Sequence, residues 1–486
     1  MKKCLTFLAM LLAVNTAFQP LFSQTRVGAP IEGLSPGDTF GESVSLSADG
    51  SRIAVGWTYD GSDNSGFKGA VEVFELVDGN WENAYANITC PWCGDAYSAF
   101  GTSVSLSADG DRVAIATPGE TDSQVYVFED WNGPGWAELG SFDGPDFGFA
   151  RSISASSDCV RVAAATGGNG ALVYELMLTD EVPFEIYVPI GQRLNLPEPN
   201  YFGTAVSISA DGNRVAVGGE DNSGFGTIAV FDYAEDTETW VPAGEPIFGD
   251  DPNGFMGNAN TISLSADGSR LAVASPSYGL NEESIPGEIE VYEWDEASSS
   301  WDQLGTALVA ENFGNPVALS PAGNRLATSS YVVENDSTAV FSVKVFQWDG
   351  ENWAPFGEDI SGDRVNEYFG ASLSFSSDGN RLAIGAYSDE GGPAGRVLVY
   401  DLSMISSSAT VSAEDNLRVF PNPTSGLIEL AGVDRGLVKV MDQMGRTLFQ
   451  EDAAQTPIDL TGLPGGVYFI QALSGSRPVV RKVVKK

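Results

Sequence analysis

Apolar and polar residues alternate through Val44-Ser45-Leu46-Ser47, a turn signal follows at Asp49-Gly50, and the apolar run Ile53-Ala54-Val55 comes next. Two strands about a tight turn are predicted, with Gly50 supplying the positive φ the turn needs. The same pattern returns six more times, with turns around Asp109, Asp158, Asp211, Asp267, Ala322 and Asp378, so that successive copies lie 60, 49, 53, 56, 55 and 56 residues apart. Each copy opens on Phe-Gly, at Phe40, Phe100, Phe147, Phe202, Phe313 and Phe369, or on Phe255-Met256-Gly257. A third strand is predicted at Ala70–Phe74, Val125–Phe128 and Val397–Tyr400, and a fourth begins at Trp81, Trp136, Trp240, Trp301 and Trp353. Four strands in a period of this length make one blade of a β-propeller.

The seventh copy stops after its third strand near Ser403, whereas Val27–Gly33 has the form of a fourth strand such as Pro242–Gly249. The expectation is that the N-terminal strand completes the last blade, because an open ring would leave unpaired sheet edges where first and last blades meet. Every turn is followed by an arginine: Arg52, Arg112, Arg161, Arg214, Arg270, Arg325 and Arg381. Seven copies point to a structural role, each guanidinium bonding a turn carboxylate or a neighbouring carbonyl. The tryptophans are expected between neighbouring sheets.

The ends of the chain read differently. Met1-Lys2-Lys3 and the apolar run from Cys4 to about Val14 have the form of a signal peptide, placed at 1–23 with Ser23 or Ala17 before the cut. No later segment is apolar for long enough to form a membrane-spanning helix. After residue 403 a Ser-rich linker, 404–416, leads to a tail, 417–486, of short alternating strands that suits a small β-sandwich. The predicted fold is therefore all-β: a seven-bladed β-propeller over 24–403 followed by a C-terminal β-sandwich.

Charge sharpens this division. The formal net charge is −41, yet 417–486 holds 9 Lys and Arg against 6 Asp and Glu, whereas 4–416 holds 14 against 60. A body of that sign repels phosphate backbones and disfavours nucleic acid as a partner. Histidine is absent, which removes Ser-His-Asp and Cys-His catalysis and His-ligated zinc. Cys90-Pro91-Trp92-Cys93 has redox-motif spacing without a βαβ context and reads as a local disulfide between Cys90 and Cys93 or as two thiols.

The Phe-Gly openings, second strands ending in Gly56-Trp57 or Gly385-Ala386-Tyr387, and the Gly-x-Val-x-Val-Phe that follows resemble the FG-GAP repeats of integrin α-subunit propellers and their bacterial relatives over residues 25–403. Members of that family that bind calcium carry several alternating Asp between the first two strands; here each turn offers one, short of calcium's six to eight oxygen ligands. No cofactor is expected, although calcium at Asp60, Asp63 and Asp221 is a candidate left open.

The tail resembles the type A sorting domain of type IX secretion. The likeness rests on Pro421-Asn422-Pro423 with Gly426, on Asp442 with Gly445, on Gly466 with Tyr468, and on the basic end at Lys482. It implies export to the cell surface or beyond, with the secretion translocon and its sorting peptidase as partners.

In an antiparallel blade, loops joining strands two and three emerge on the same face as the loops between blades, and that face holds the irregular segments. Trp57, Tyr59, Trp92, Asp221, Tyr278 and Tyr387 are the candidate ligand residues there. The expected function is a non-enzymatic secreted or surface binding protein for a glycan or a protein. A carbohydrate-active enzyme using paired carboxylates and a structural matrix component are the alternatives.

Overall fold

The computed structural model describes residues 24–403 and 418–486, apart from 36–37, 59–68, 91–98, 120–122, 131–134, 145–147, 179–184, 197–201, 220–224, 250–255, 257–260, 277–285, 311, 336–337, 365–366, 389–391, 421–423, 432–436, 442–446, 453–456 and 475–476. Residues 23–403 form one compact unit, and residues 404–486 belong to another.

Among the described residues of the first unit, seven antiparallel sheets follow one another along the chain. Sheet I spans 43–89, sheet II 104–143, sheet III 153–189, sheet IV 202–248, sheet V 262–310, sheet VI 313–361 and sheet VII 368–401. The N-terminal segment joins the last of these. Thr25–Arg26 pairs with Asp401 and Tyr400, and Ile31–Glu32 pairs with Val397 and Arg396. It pairs as two short pieces rather than as one strand over 27–33, the same form as Thr239–Pro242 and Ile247–Phe248 in sheet IV. In sheets IV, V and VI the tryptophan N–H of the fourth strand donates to a carbonyl of the preceding sheet: Trp240 to Ile190 at 3.1 Å, Trp301 to Ala243 at 3.0 Å and Trp353 to Leu304 at 3.1 Å. Trp81 of sheet I donates to Val27 beside sheet VII at 3.0 Å. Gln24 occupies that position for sheet VII and donates to Phe356 of sheet VI at 3.0 Å.

Three series of contacts link successive innermost strands and turns; the arginine series runs unbroken back to its start, and the other two are interrupted between sheets VI and VII. Serine hydroxyls accept from the next sheet's backbone: Leu46 N–H donates to Ser374, Leu106 to Ser45, Ala155 to Ser105, Ile208 to Ser154, Leu264 to Ser207 and Leu319 to Ser263. Turn backbones are linked in the same way, from Ala48 N–H to Ala108 through to Ser377 N–H back to Ala48. The third series is the arginines. Each donates to a turn carbonyl of the next sheet, from Arg52 to Gly110 at 3.2 Å through to Arg381 to Gly50 at 2.7 Å. In sheets I to V the same guanidinium also pairs with a third-strand carboxylate: Glu75, Glu129, Glu175, Asp232 and Glu293 respectively. The innermost strands of all seven sheets line one channel of about 200 Å³, faced with Ser43, Ser103, Ser152, Ser207, Ser263 and Ser372.

Two repeat openings differ from the sequence reading. In sheet III the position of Phe40 is filled by Phe149, fully buried, and Ala150 takes the glycine's place at φ 63°; Phe147 lies outside the described residues. Ala150 N–H donates to Ala165 as Gly101 N–H donates to Ala116, which fixes the equivalence. In sheet V buried Met256 fills the phenylalanine position, and Phe255 lies outside the described residues. Phe149 stands two residues after Phe147, and Met256 one residue after Phe255.

In the second unit, Arg418–Phe420, Leu427–Ala431 and Ile458–Asp459 make one antiparallel sheet, and Leu437–Met441, Thr447–Asp452, Gly466–Ser474 and Arg477–Lys485 make another. Ile428, Ile458, Val438, Val440, Ile470 and Val483, drawn from both sheets, are fully buried together.

Candidate ligand-binding site

Sheet VI departs from its neighbours at the end where second and third strands join. Its second and third strands, Arg325–Asn335 and Thr338–Trp348, run 11 residues each and stay paired out to Asn335 and Thr338, whereas the second strands of sheets I to V have five or six. β-branched and aromatic residues at 331–333, 338, 340 and 341 favour that extension. Tyr331 faces Phe341 across the hairpin with ring centroids 5.2 Å apart. Phe341 meets Tyr368 of sheet VII edge-on at 5.4 Å, and Tyr368 lies 5.1 Å from its cross-strand partner Tyr387. Four rings therefore form one row crossing from sheet VI to sheet VII. Tyr331, Phe341 and Tyr387 are half-buried, Tyr368 is 37% exposed and Val332, beside Tyr331, is 66% exposed.

The row depends on a large side chain at a position where several other sheets have glycine. Gly69, Gly226 and Gly395 stand where Phe341 stands, and a Cβ added to any of them would come within 1.9 to 2.1 Å of a carbonyl oxygen of the following sheet, at Phe100, Met256 or Phe40. Phe341 keeps the equivalent bond, its carbonyl accepting from Gly362 N–H as that of Gly395 accepts from Gly33. Its side chain occupies the space through which the next sheet's chain passes elsewhere, and the ring of Tyr368 packs against it.

Charges flank the row. Glu367 precedes Tyr368 and is buried; its two carboxylate oxygens accept from Arg396 Nε and Nη2 at 2.6 Å each, and Asp363 takes the same Nη2. Burial pushes the Arg396 pKa down, but the bonds to Glu367 and then Asp363 outweigh it and hold it above the ordinary arginine value. Arg364 makes a forked contact to Glu32 at 2.9 and 3.0 Å. Asp38 holds Gly395 N–H at 2.7 Å and Ser35 N–H at 2.9 Å, with its pKa raised because burial exceeds these bonds.

Of the residues singled out from sequence, Tyr387 belongs to this row. Trp57 does not lie on a ligand face: it is 6% exposed and packs against Phe40 at 5.4 Å inside the core, because its strand position points between sheets I and VII. Tyr59, Asp60, Asp63, Trp92, Asp221 and Tyr278 lie outside the described residues, as does Cys93; Cys90 is disulfide-bonded. Tyr331, Phe341 and Tyr368 were missed, although Phe341 at a glycine position of the repeat was a readable signal.

The turn carboxylates on the opposite side are fully engaged by their own loops. Asp49 accepts from Ser47 Oγ and Ser51 N–H, both at 2.8 Å, and Asp109, Asp158, Asp211, Asp267 and Asp378 repeat this. Among the described residues no cluster of acids, cysteines and histidines has metal-site geometry.

In the tail, Gly426 sits at φ 152°, where an added Cβ would meet Thr461 at 2.5 Å, and its carbonyl accepts from Leu460 N–H. Gly466 opens the strand Gly466–Ser474, Tyr468 donates its hydroxyl to Pro464 at 2.7 Å, and Lys482 is exposed on the last strand. Pro421, Asn422, Pro423, Asp442 and Gly445 lie outside the described residues.

Residues 418–486 match the family described as secretion system C-terminal sorting domain. This chain carries a sorting tail. Such a tail indicates export by type IX secretion to the cell surface or the extracellular space. The comparison with curated proteins finds no match. Among solved structures the chain is similar to the β-propeller domain of Cps50 (Swd1) from Myceliophteria thermophila, at 14% identity and TM-score 0.50, over 78% of this chain and all of that one. It is also similar, at 14% identity and TM-score 0.49, to hydrazine synthase of Kuenenia stuttgartiensis, over 78% of this chain and 98% of that one. At such identity the first likeness establishes a β-propeller fold and nothing about activity.

Proposed function

We propose that this chain is a seven-bladed β-propeller that binds an extracellular glycan or protein, delivered by a C-terminal β-sandwich that the type IX translocon recognises and its sorting peptidase removes. The observation that carries the reading is the aromatic row from Tyr331 to Tyr387, set on paired strands at the irregular end of an otherwise repetitive ring. Rigid strands holding partly exposed rings suit recognition, since little conformational freedom is lost on binding.

The reading is non-enzymatic. Glu367 and Asp363, which flank the row, are both bonded to Arg396, and neither is free to serve as a general acid beside a free carboxylate. The test is a screen of the secreted protein against glycans and surface proteins, run beside turnover assays on polysaccharides. Saturable binding without product is expected; product release would overturn the reading in favour of a carbohydrate-active enzyme. Replacing residues 418–486 by a stop codon should leave the protein in the periplasm, and its appearance outside the cell would overturn the sorting role.

A further inference from the structure

We infer that the row Tyr331, Phe341, Tyr368 and Tyr387 is a stacking platform for an uncharged polysaccharide chain; this rests on the proposed binding role of that end of the propeller. Adjacent ring centroids lie 5.2, 5.4 and 5.1 Å apart, so the row presents continuous aromatic surface across two sheets. The C–H faces of pyranose rings pack against aromatic faces while their hydroxyls need polar partners at the edge. Three of the four rings are tyrosines, and Arg364 and Asp363 follow each other just before Tyr368, with Asp363 68% exposed at its side chain.

The same surroundings argue against other ligands. A polyanionic glycan or nucleic acid meets a body with 60 acidic and 14 basic residues between 4 and 416. A protein partner of ordinary kind would bury aliphatic surface around an aromatic anchor, and Val332 is the large exposed aliphatic side chain beside this row. Every ring of the row sits on a paired strand, so its spacing is fixed before a ligand arrives.

Affinity electrophoresis of the secreted protein through gels containing laminarin, xylan, galactomannan or starch, with pectin as the anionic control, tests this. Retardation by at least one neutral polymer and none by pectin is expected. Tyr368→Ala and Tyr387→Ala should each weaken that binding by about tenfold, the factor expected on losing one anchoring ring. Tyr368→Phe should keep most of it, and the melting temperature of each variant reports whether the fold survives. Binding that is unchanged in both alanine variants overturns the platform while leaving a binding propeller intact. Absence of retardation by every neutral polymer overturns it too, and capture of a surface protein instead would leave the broader reading standing.

Discussion

The seam between sheets VII and I joins residues more than 300 positions apart, whereas the seam between sheets VI and VII joins consecutive stretches of chain, and the distant seam is the better built. At the distant seam Leu46 N–H reaches Ser374 Oγ at 3.0 Å, Ser377 N–H reaches Ala48 at 2.8 Å, Arg381 reaches Gly50 at 2.7 Å and Ser372 Oγ reaches Gly41 at 2.7 Å. At the other seam Ala318 stands in the place of the serine, Pro321 has no N–H to donate, and Gln24 replaces the tryptophan. Arg325 keeps its bond to Gly379 at 2.6 Å, but its cross-strand neighbour is Gln347, whose buried Oε1 has no partner, in place of the acid found in sheets I to V. Chain connectivity already holds sheets VI and VII together, so that seam tolerates lost contacts, which leaves room there for the proposed ligand surface. The closing seam has no covalent help and depends on repeat contacts and the N-terminal strand.

Removing residues 24–32 should have the largest effect. It strips Arg396–Asp401 of its outer partner and removes the Gln24 and Val27 contacts on both sides, so the cooperative unfolding transition should be lost or broadened in denaturant titration. A sharp transition at the wild-type midpoint would show that closure does not rest on this strand.

Next in size is the contrast between two arginines. Arg325 is 5% exposed, and burial lowers its pKa without a bonded carboxylate to offset it. Its bonds to Gly379 and Asn380 are the repeat contacts left at that seam, and Arg325→Ala should cost ~3 kcal/mol, against ~1 kcal/mol for Arg381→Ala at the better-stitched seam. Equal losses in urea titrations would remove the distinction between the seams. Conversely, Ala318→Ser offers Phe375 N–H the hydroxyl that serves at the other innermost strands, and Gln347→Glu gives Arg325 its missing acid; each should add ~1 kcal/mol.

Cys159 supplies a probe of the ring from inside. It occupies the turn position held by glycine elsewhere, at φ 54°, with its thiol fully buried and its pKa pushed up to about 12 by that burial. Alkylation at pH 8 should be negligible in the folded protein and should appear only on unfolding, so its rate in the variants above follows the opening of sheet III.

How much of this was legible depended on whether the repeat was kept or broken. The period, the turns, the arginine series and the N-terminal strand could be read because Ser-x-Asp-Gly-x-Arg and Pro-Ile recur at fixed offsets. Phe147 and Phe255 misled because a second apolar residue follows closely, Phe149 two positions on and Met256 one position on, and it is this residue that is buried at the structural position. Trp57 misled because the end of a strand and the start of a loop look alike in sequence, and the burial of its ring depends on Phe40 folding over it. The aromatic row was invisible as a row: its members lie up to 56 residues apart and become neighbours through pairing of Tyr331 with Phe341 and of Tyr368 with Tyr387.

The smallest expected effect is also specific to the weak seam. In five turns, at Asp49, Asp109, Asp211, Asp267 and Asp378, partial burial works to raise the carboxyl pKa, but hydrogen bonds from backbone N–H groups and serine hydroxyls win and hold it below the usual aspartate value. A depressed acid pKa contributes stability that is present above the unfolded-state value near 3.8 and is lost as pH falls through the folded-state value. Sheet VI has Ala322 in that position, and Ser320 Oγ turns to Asn324 instead at 3.1 Å. Ala322→Asp should therefore raise the melting temperature at pH 7 by more than at pH 2.5, because the gain shrinks as pH falls below 3.8 towards the lower folded-state value. An equal gain at both pH values would mean that the substitution acts through backbone propensity, and that the acid in the other turns is not held by the charge on its oxygens.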